Sequence, residues 1–249
     1  MAPETAIIIR TKNEEKWIGA VLKILVEQTY KSFEIIIVDS GSTDKTLEIA
    51  QKFPVKVFTI PPQSFSYPYA LNYGIARSSA THYIIILSAH SLPVSRMWIE
   101  DGIRHLKENK KVLGVYGPIA SLPDATFWDT LFQNTGIVFH RLFAGKSPVV
   151  VGRARMGVLG FTNAIIRKNL WEKYHFNEEY GAGGEDGEWA GYWMARGYKA
   201  IKDERFMVRH SHYLGLRGWR EEFKNWKSLA NPRPFQPLAF RKSKTHSKF

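Results

Sequence analysis

The sequence predicts an α/β fold in which helices cover both faces of a mostly parallel central sheet. Over residues 1–116, short apolar runs alternate with segments whose apolar residues recur with the period of a helix. Residues 35–38 are four consecutive apolar residues, a pattern typical of a strand buried on both faces. Because strands and helices alternate along the chain, the strands are expected to lie parallel.

The elements of residues 1–116 follow from these patterns in order. Strands are predicted at residues 6–9, 34–39, 55–60, 83–87 and 112–116. Helices are predicted at residues 14–28, 47–53, 69–76 and 98–109. Ser42 or Thr43 can cap the second of these helices.

The regular alternation ends after residue 117. Helices are predicted at residues 127–143, 168–174, 185–196 and 218–229, and strands near 158–161, 164–166, 198–202 and 206–208. Residues 146–155 are basic and are predicted to form a mobile loop, and residues 181–184 are a flexible glycine-rich segment. We interpret residues 1–240 as a single domain with a distinct C-terminal portion from residue 117, followed by a basic tail over residues 241–249.

Composition limits the chemistry and the partners. The chain has no cysteine, which excludes disulfides, thiolate catalysis and cysteine-bound zinc. Its 35 Lys and Arg residues against 23 Asp and Glu give a net charge of +12, which suits a nucleotide, a nucleic acid or an acidic membrane surface. A generally basic, solvated surface explains the same number. Part of the charge lies in the tail, at Arg241, Lys242, Lys244 and Lys248.

The sequence predicts no membrane-spanning segment, because no apolar run approaches the roughly 20 residues that such a helix needs. Its first residues lack the basic and apolar regions of a signal peptide. We therefore expect a cytoplasmic protein, and peripheral association with the cytoplasmic face of a membrane stays open.

Three polar clusters follow predicted strands, at residues 10–14, 39–44 and 88–91. In open parallel sheets, ligands bind beyond the carboxyl ends of the strands. A carboxylate placed as Asp39 is can accept hydrogen bonds from a base and from ribose. Taken alone, however, Asp39 and Ser42 are better explained as a turn and a helix cap. The phosphate-loop and dinucleotide glycine signatures are absent, which disfavours kinase-type and nicotinamide-type sites.

Four segments in order resemble the inverting family-2 glycosyltransferases, which have the Rossmann-like GT-A fold. They are residues 7–14 (IIIRTKNE), 36–44 (IIVDSGSTD), 70–74 (ALNYG) and 184–188 (GEDGE), the last followed by Arg196-Gly197-Tyr198. The resemblance implies that residues 1–116 bind a nucleoside-diphosphate sugar and that residues 117–240 bind the acceptor and carry the catalytic base. The implied acceptor is a saccharide or a lipid-linked sugar, as in cell-surface polysaccharide or glycolipid synthesis.

The resemblance also implies roles for single residues. Asp186 would be the general base, since inverting transfer needs a carboxylate to take the proton of the attacking hydroxyl. Glu185 would bind acceptor hydroxyls or raise the proton affinity of Asp186, although acids also simply favour helix N-termini. Trp189 would line an acceptor site or pack in the core. The residues implied around the nucleotide and donor are Thr11, Asn13, Glu14, Asp39 and Asn72.

The acidic metal-binding motif of the family is replaced by Ser88-Ala89-His90. Under one hypothesis His90 takes the place of the aspartate and a divalent cation, Mn²⁺ or Mg²⁺, still binds. We prefer His210 over His212 as a second ligand, because His210 ends a run of apolar residues. Under another, Arg217, Arg220, Arg153 and Arg155 neutralise the leaving group without a metal, and under a third the protein binds nucleotide sugars without turnover.

Two further functions compete with an enzyme. A nucleic-acid-binding protein would explain the charge of +12, but the basic residues are scattered and no nucleic-acid-binding motif is present, so no nucleic acid is expected. A non-catalytic nucleotide-sugar-binding protein would explain the loss of the acidic motif. Release of nucleoside diphosphate from a panel of donors separates that function from catalysis.

Overall fold

The computed structural model describes residues 1–143, 147–154, 157–180 and 183–230. The strands in chain order are β1 (Thr5–Thr11), β2 (Phe33–Asp39), β3 (Val55–Thr59), β4 (Tyr83–Ser88), β5 (Leu92–Pro93), β6 (Val112–Tyr116), β7 (Ile119–Ala120), β8 (Val149–Val151), β9 (Asn163–Arg167), β10 (Lys199–Lys202) and β11 (Val208–Arg209). The helices are α1 (Ile18–Val26), α2 (Thr46–Ala50), α3 (Tyr67–Ala76), α4 (Trp98–Glu108), α5 (Phe127–Phe143), α6 (Lys168–Trp171), α7 (Glu185–Met194) and α8 (Leu216–Ala230).

One large sheet organises the chain, with the strand order β3-β2-β1-β4-β9-β6-β10-β8. Strands β1 to β4 are parallel, as predicted, whereas β9 is antiparallel to both of its neighbours, β4 and β6. A small second sheet has the order β5-β11-β7. The mixed, mostly parallel α/β fold agrees with the prediction.

Both faces of the large sheet are covered, because successive side chains of a strand point to opposite sides. Ile7 and Ile9 of β1 pack in the same cluster as residues of α1 and α4, whereas Ala6 and Ile8 pack with residues of α3 and α7. Arg10 follows Ala6 and Ile8 on the face of α3 and α7. The predicted two layers of helices are therefore confirmed.

Helix α3 lies very close to the sheet at Gly74. A Cβ atom at this position would come within 2.8 Å of Ile8 Cγ2 and 2.9 Å of Val38 Cγ2. Real Cβ contacts are longer than this, so only glycine lets the helix approach β1 and β2 as it does. This approach fixes α3 against the two strands whose ends carry the polar clusters.

Three details differ from the sequence predictions. Residues 158–161 form a turn instead of a strand, since Leu159 has a φ of 59°, outside the strand region. The segment predicted as a mobile loop at residues 146–155 contains β8, which pairs with β10. Helix α2 begins only at Thr46, whose backbone N–H donates to Asp44 Oδ1 at 2.9 Å, and the Ser42 hydroxyl donates to Asp39 and does not cap the helix.

Some predictions fall outside the described residues. These are Arg155, part of the glycine-rich segment at residues 181–184, and the basic tail with Arg241, Lys242, Lys244 and Lys248. Among the helices of the described part, none has the length and apolar character needed to cross a bilayer.

Candidate active site

The polar ends of β1, β2 and β4 lie side by side. Strand β1 is the middle strand, and its register pairs Thr11 with Asp39 of β2 and Arg10 with Ser88 of β4. The predicted meeting of these three ends at one edge of the sheet follows directly from this register. The side chains that line the edge are therefore set by the parallel pairing of three apolar strands.

Asp39 shapes the turn that follows β2. Its Oδ2 accepts hydrogen bonds from the backbone N–H groups of Gly41 and Ser42 at 2.9 and 3.0 Å, and the Ser42 hydroxyl donates to Oδ1 at 2.5 Å. Gly41 takes a φ of 91°, which favours glycine. The carboxylate is only 1% exposed, so its position is defined by the turn as well as by the strand.

The loop after β1 joins this turn. The backbone N–H of Asn13 donates to Ser42 Oγ at 2.9 Å, and the Asn13 side-chain oxygen accepts from the backbone N–H of Thr43 at 2.8 Å. Asn13 has a φ of 55°, a conformation that asparagine tolerates better than most residues. Thr11 Oγ1 is buried and finds no hydrogen-bond partner among the described residues.

Three histidines form a cluster at the neighbouring end of β4. One ring atom from each of His90, His210 and His212 lies within 4.8 Å of the others, which makes them a candidate metal site. The rings of His90 and His210 stack at 4.3 Å, and His210 Nε2 lies 3.2 Å from His212 Nε2. His210 lies in the cluster as predicted, and His212, which the sequence analysis ranked below it, lies there too, since side chains two positions apart face the same side of an extended chain.

Two of the histidines are oriented by hydrogen bonds at Nδ1. Glu14 Oε1 lies 2.8 Å from His90 Nδ1, and Ser91 Oγ lies 3.1 Å from His210 Nδ1. Partners at one ring nitrogen leave the other nitrogen for a cation, which is the usual support of a metal-binding histidine. Glu14 thus contacts His90, and its expected place near the nucleoside stays a prediction.

The electrostatic surroundings keep the cluster available for a cation. Burial, followed by the charges of His90 and His212, lowers the pKa of His210 well below its ordinary value. Burial also lowers the pKa of His212, with His90 contributing. The lowered pKa values favour neutral imidazoles with lone pairs to donate at His210 and His212, so the donor set fits a divalent metal with affinity for nitrogen ligands.

A pair of acids opens helix α7. Gly184, with a φ of 98°, turns the chain into the helix, and Glu185 and Asp186 follow at its N-terminus. Burial and, after it, the charge of Asp186 raise the pKa of Glu185 to about 7, against the opposing charge of Arg10. Burial also raises the pKa of Asp186, against the backbone N–H of Gly187, which donates to its Oδ1 at 2.7 Å. Such carboxylates bind protons more readily than exposed ones do.

Arg10 links the end of β1 to this acidic pair. Its Nη1 lies 3.9 Å from Glu185 Oε1, Nη2 donates to the Phe161 carbonyl at 3.4 Å, and its guanidinium lies 4.5 Å from the centre of the Tyr67 ring. The strand ends and the acidic helix terminus are therefore in contact. Sequence analysis assigned no role to Arg10. The observation that could have predicted one is a cation near the end of a strand whose preceding residues, from Ala6 to Ile9, are apolar.

The comparison with protein families decides the class of this site. A model described as glycosyl transferase family 2 matches residues 6–174, which include all three strand ends. The chain belongs to glycosyltransferase family 2. The GT-A fold that the sequence resemblance implied is confirmed, since solved glycosyltransferases share the architecture.

Relatives of this family-2 glycosyltransferase come from bacterial polysaccharide and glycolipid synthesis. An O-antigen chain rhamnosyltransferase of Salmonella anatum is 24% identical over 84% of the chain and 67% of its own length. A PGL/p-HBAD biosynthesis glycosyltransferase of Mycobacterium bovis is 46% identical over 71% of the chain and 69% of its own length. The family is thus supported by relatives as well as by the family model.

A solved structure supports the fold of this family-2 glycosyltransferase. The mannosyltransferase PcManGT from Pyrobaculum calidifontis, in complex with GDP-Man and Mn²⁺, matches with a TM-score of 0.64 at 20% identity. The match covers 92% of this chain and 61% of that protein. The chain thus spans less than two thirds of this structural neighbour.

Three predicted substrate residues of the family-2 glycosyltransferase have different surroundings. Trp189 is completely buried and its Nε1 donates to the Tyr174 carbonyl, so no ring face is left to stack on an acceptor sugar. The Asn72 amide bonds Trp171 Nε1, Glu178 and the backbone of Phe176, which makes it a tie between α3 and this segment. Arg217 is exposed in the first turn of α8, and its role at the leaving group stays a prediction.

Proposed function

We propose that this chain transfers a sugar from a nucleoside-diphosphate sugar to a saccharide or lipid-linked acceptor with inversion at the anomeric carbon, in polysaccharide or glycolipid synthesis. The observation that carries the proposal is the acidic pair of buried Glu185 and half-buried Asp186, joined through Arg10 to the strand ends that hold Asp39. Relatives named for O-antigen and glycolipid synthesis support the acceptor class.

Asp186 is the proposed general base. Its carboxylate takes the proton of the acceptor hydroxyl while the hydroxyl oxygen forms a bond to the anomeric carbon. The bond from that carbon to the diphosphate oxygen breaks on the opposite side, and the nucleoside diphosphate leaves with the electron pair. A base so placed contributes about 10²–10⁴ in rate. Burial raises the pKa of Asp186 and therefore makes its carboxylate a better proton acceptor near neutral pH.

His90, His210 and His212 are the proposed ligands of a divalent cation on the diphosphate. Such an ion would stabilise the negative charge of the leaving group. Imidazole binds Mn²⁺ more readily than Mg²⁺, which prefers oxygen ligands, so we propose Mn²⁺ of the two. Glu14 and Ser91 orient the rings of His90 and His210 in this role.

Turnover with a panel of nucleoside-diphosphate sugars tests the proposed function. Release of nucleoside diphosphate is measured with a mixture of saccharide and lipid-linked acceptors, with Mn²⁺, with Mg²⁺ and with neither. Asp186→Asn is expected to abolish transfer while it retains donor binding, and Glu48→Gln, a change of an exposed acid in α2, is the control. Donor binding without turnover in the unmodified protein would instead support the non-catalytic function, and unchanged transfer in Asp186→Asn would rule out this base.

The acceptor half also exposes a surface suited to a membrane. Helices α5 and α8 pack through the Phe132 ring, which lies 5.4 Å from the Trp219 ring. Phe127, Leu131 and Val138 of α5 lie exposed along one stripe at helical spacing. A groove on α8 is lined by Phe223 and Leu216, by the exposed cations Arg217, Arg220 and Lys224, and by Glu221, which pairs with Lys224 at 3.2 Å.

Apolar side chains beside cations match the interface of a membrane with anionic lipid headgroups. We therefore place the enzyme in the cytoplasm, peripherally on the cytoplasmic face of a membrane, with α5 and α8 towards the lipid. Sedimentation with phosphatidylcholine vesicles, with and without phosphatidylglycerol, tests this. Phe127→Ser with Arg220→Glu should lose most of the binding to anionic vesicles, whereas the matched charge change Lys52→Glu should retain it. Equal binding of anionic vesicles by both variants would show that this surface does not contact the membrane.

A further inference from the structure

Arg10 is held in a site that is unusual for a cation. It is the sixth residue of β1, in the middle of the parallel part of the sheet, and its side chain extends on the face covered by α3 and α7. Its side chain is only 10% exposed and that of Glu185 only 5%. A guanidinium in such a place needs a nearby negative charge to offset the loss of water.

The polar atoms between Arg10 and Glu185 are incompletely paired. Arg10 Nη1 and Glu185 Oε2 are both buried and find no hydrogen-bond partner among the described residues. The two side chains lie 3.9 Å apart at their nearest charged atoms, which is an ion pair without a direct hydrogen bond. The guanidinium therefore acts on the acidic pair mainly through its charge.

The charge of Arg10 reaches both acids of α7. It lowers the pKa of Glu185 and of Asp186, in each case against the larger effect of burial. The groups of the described structure that interact electrostatically with Arg10 are Glu185, Tyr67 of α3 and Asp186. Arg10 is thus the one cation among these groups, facing two carboxylates and a phenol.

We propose that Arg10 is a positioning residue that serves as the counterion of the Glu185–Asp186 pair and keeps the catalytic carboxylate ionised in its buried site. This inference rests on the proposed role of Asp186 as the general base. Without the guanidinium, two adjacent acids would share a site with low polarity and no positive charge, and protonation would relieve their repulsion.

The pH dependence of transfer tests this role. The base must be ionised, so activity rises with pH along an acid limb. Removal of a cation raises the pKa of the carboxylates, so Arg10→Gln should move this limb to higher pH, by about one to three units. Arg10→Lys keeps the charge and should restore much of the wild-type profile. A merely structural role would lower the rate at every pH without moving the limb.

A second variant tests the same electrostatics in the opposite direction. Glu185→Gln removes a negative neighbour of Asp186, so the acid limb of this variant should move to lower pH. The test does not depend on whether Arg10→Gln folds. Retained binding of nucleoside diphosphate, measured by calorimetry, shows that each variant is folded. Limbs at the wild-type pH in the folded variants would overturn the proposal.

Failure of this inference can be told apart from failure of the proposed function. If Asp186→Asn is inactive and the profiles of Arg10→Gln and Glu185→Gln are unshifted, only the role of Arg10 is wrong. If Asp186→Asn transfers sugar normally, the base itself is wrong.

Discussion

Nε2 of His210 and Nε2 of His212 lie 3.2 Å apart, although the two residues are separated by a single position in the chain. Residues two positions apart on an extended chain face the same side, so both rings can be presented together. Strand β11 ends at Arg209, and Tyr213 has a φ of 56° as the chain turns towards α8. His212 thus adds a third candidate nitrogen ligand beside His90 and His210.

Loss of one of these ligands should weaken metal binding. His212→Ala is expected to lower the affinity for Mn²⁺, titrated calorimetrically in the presence of a nucleoside diphosphate, by at least about tenfold. His82→Ala, which changes an exposed histidine, is the control and should bind Mn²⁺ normally. Wild-type affinity in His212→Ala would exclude this residue from the metal site. Mg²⁺ should bind the unmodified protein more weakly than Mn²⁺ does, since imidazole is a poor Mg²⁺ ligand.

Asp129 is expected to affect Mn²⁺ binding indirectly, through the segment that follows His212. Its buried carboxylate accepts hydrogen bonds from the backbone N–H groups of Tyr213 and Leu214 and from Trp219 Nε1, which ties the chain after the histidines to α5. Asp129→Ala leaves these donors unpaired and should lower the free energy of unfolding by about 2–4 kcal/mol in urea denaturation.

Asp129→Asn keeps an accepting oxygen and should cost less stability than Asp129→Ala. Because Asp129 holds the segment that follows His212, folded Asp129→Ala should also bind Mn²⁺ more weakly. Undiminished Mn²⁺ affinity in that variant would show that the histidines are positioned without it.

Nucleotide binding should depend on Asp39. Asp39→Ala is expected to weaken the binding of nucleoside diphosphate by about tenfold, equivalent to about 1.4 kcal/mol, as measured by calorimetry. Ser42→Ala is the comparison: it removes one hydrogen bond to Asp39 but keeps the carboxylate, so its loss should be smaller. If Asp39→Ala binds the nucleotide as tightly as the unmodified protein, the nucleoside site lies elsewhere.

The close contact between α3 and the sheet predicts that alanine at Gly74 lowers the stability of the protein, opposite to the usual effect of alanine in a helix. Glycine to alanine within a helix ordinarily stabilises by about 0.5–1 kcal/mol. At Gly74 the added methyl group would collide with Ile8 and Val38, so Gly74→Ala should instead destabilise by about 1–3 kcal/mol. Gly187 in α7 has open space around it, so Gly187→Ala should show the ordinary gain. Urea denaturation of both variants measures the contrast, and equal effects would contradict it.

Much of the sheet and of its polar edge could be predicted from the sequence, because the information is local. Strands β1, β2 and β4 are continuous apolar runs, and parallel pairing then brings the residues that follow them to one edge. Asp39 and the acidic start of α7 were identified on this basis and by resemblance. Their placement needed no knowledge of long-range packing.

What could not be predicted depends on tertiary contacts. An aromatic residue near an acidic helix start is consistent with either a sugar platform or a core position, and only packing shows that Trp189 is buried. The roles of Asn72 and His212 depend on where distant segments end and which groups they meet. The apolar residues Val158 and Leu159 led to a strand prediction that was wrong, because a buried turn needs apolar side chains as much as a strand does.

Strand β9 has a consequence for how the molecule can be divided. It comes from beyond the middle of the chain, yet it supplies the hydrogen-bonding neighbour between β4 and β6. A fragment that stopped at residue 116 would therefore leave one edge of β4 and both edges of β6 open, and open apolar edges favour aggregation. During synthesis the ribosome must deliver the chain through Arg167 before β4 can acquire its second partner. The two parts of the chain on either side of residue 116 thus fold together, and a gene cut between them would not yield two working halves.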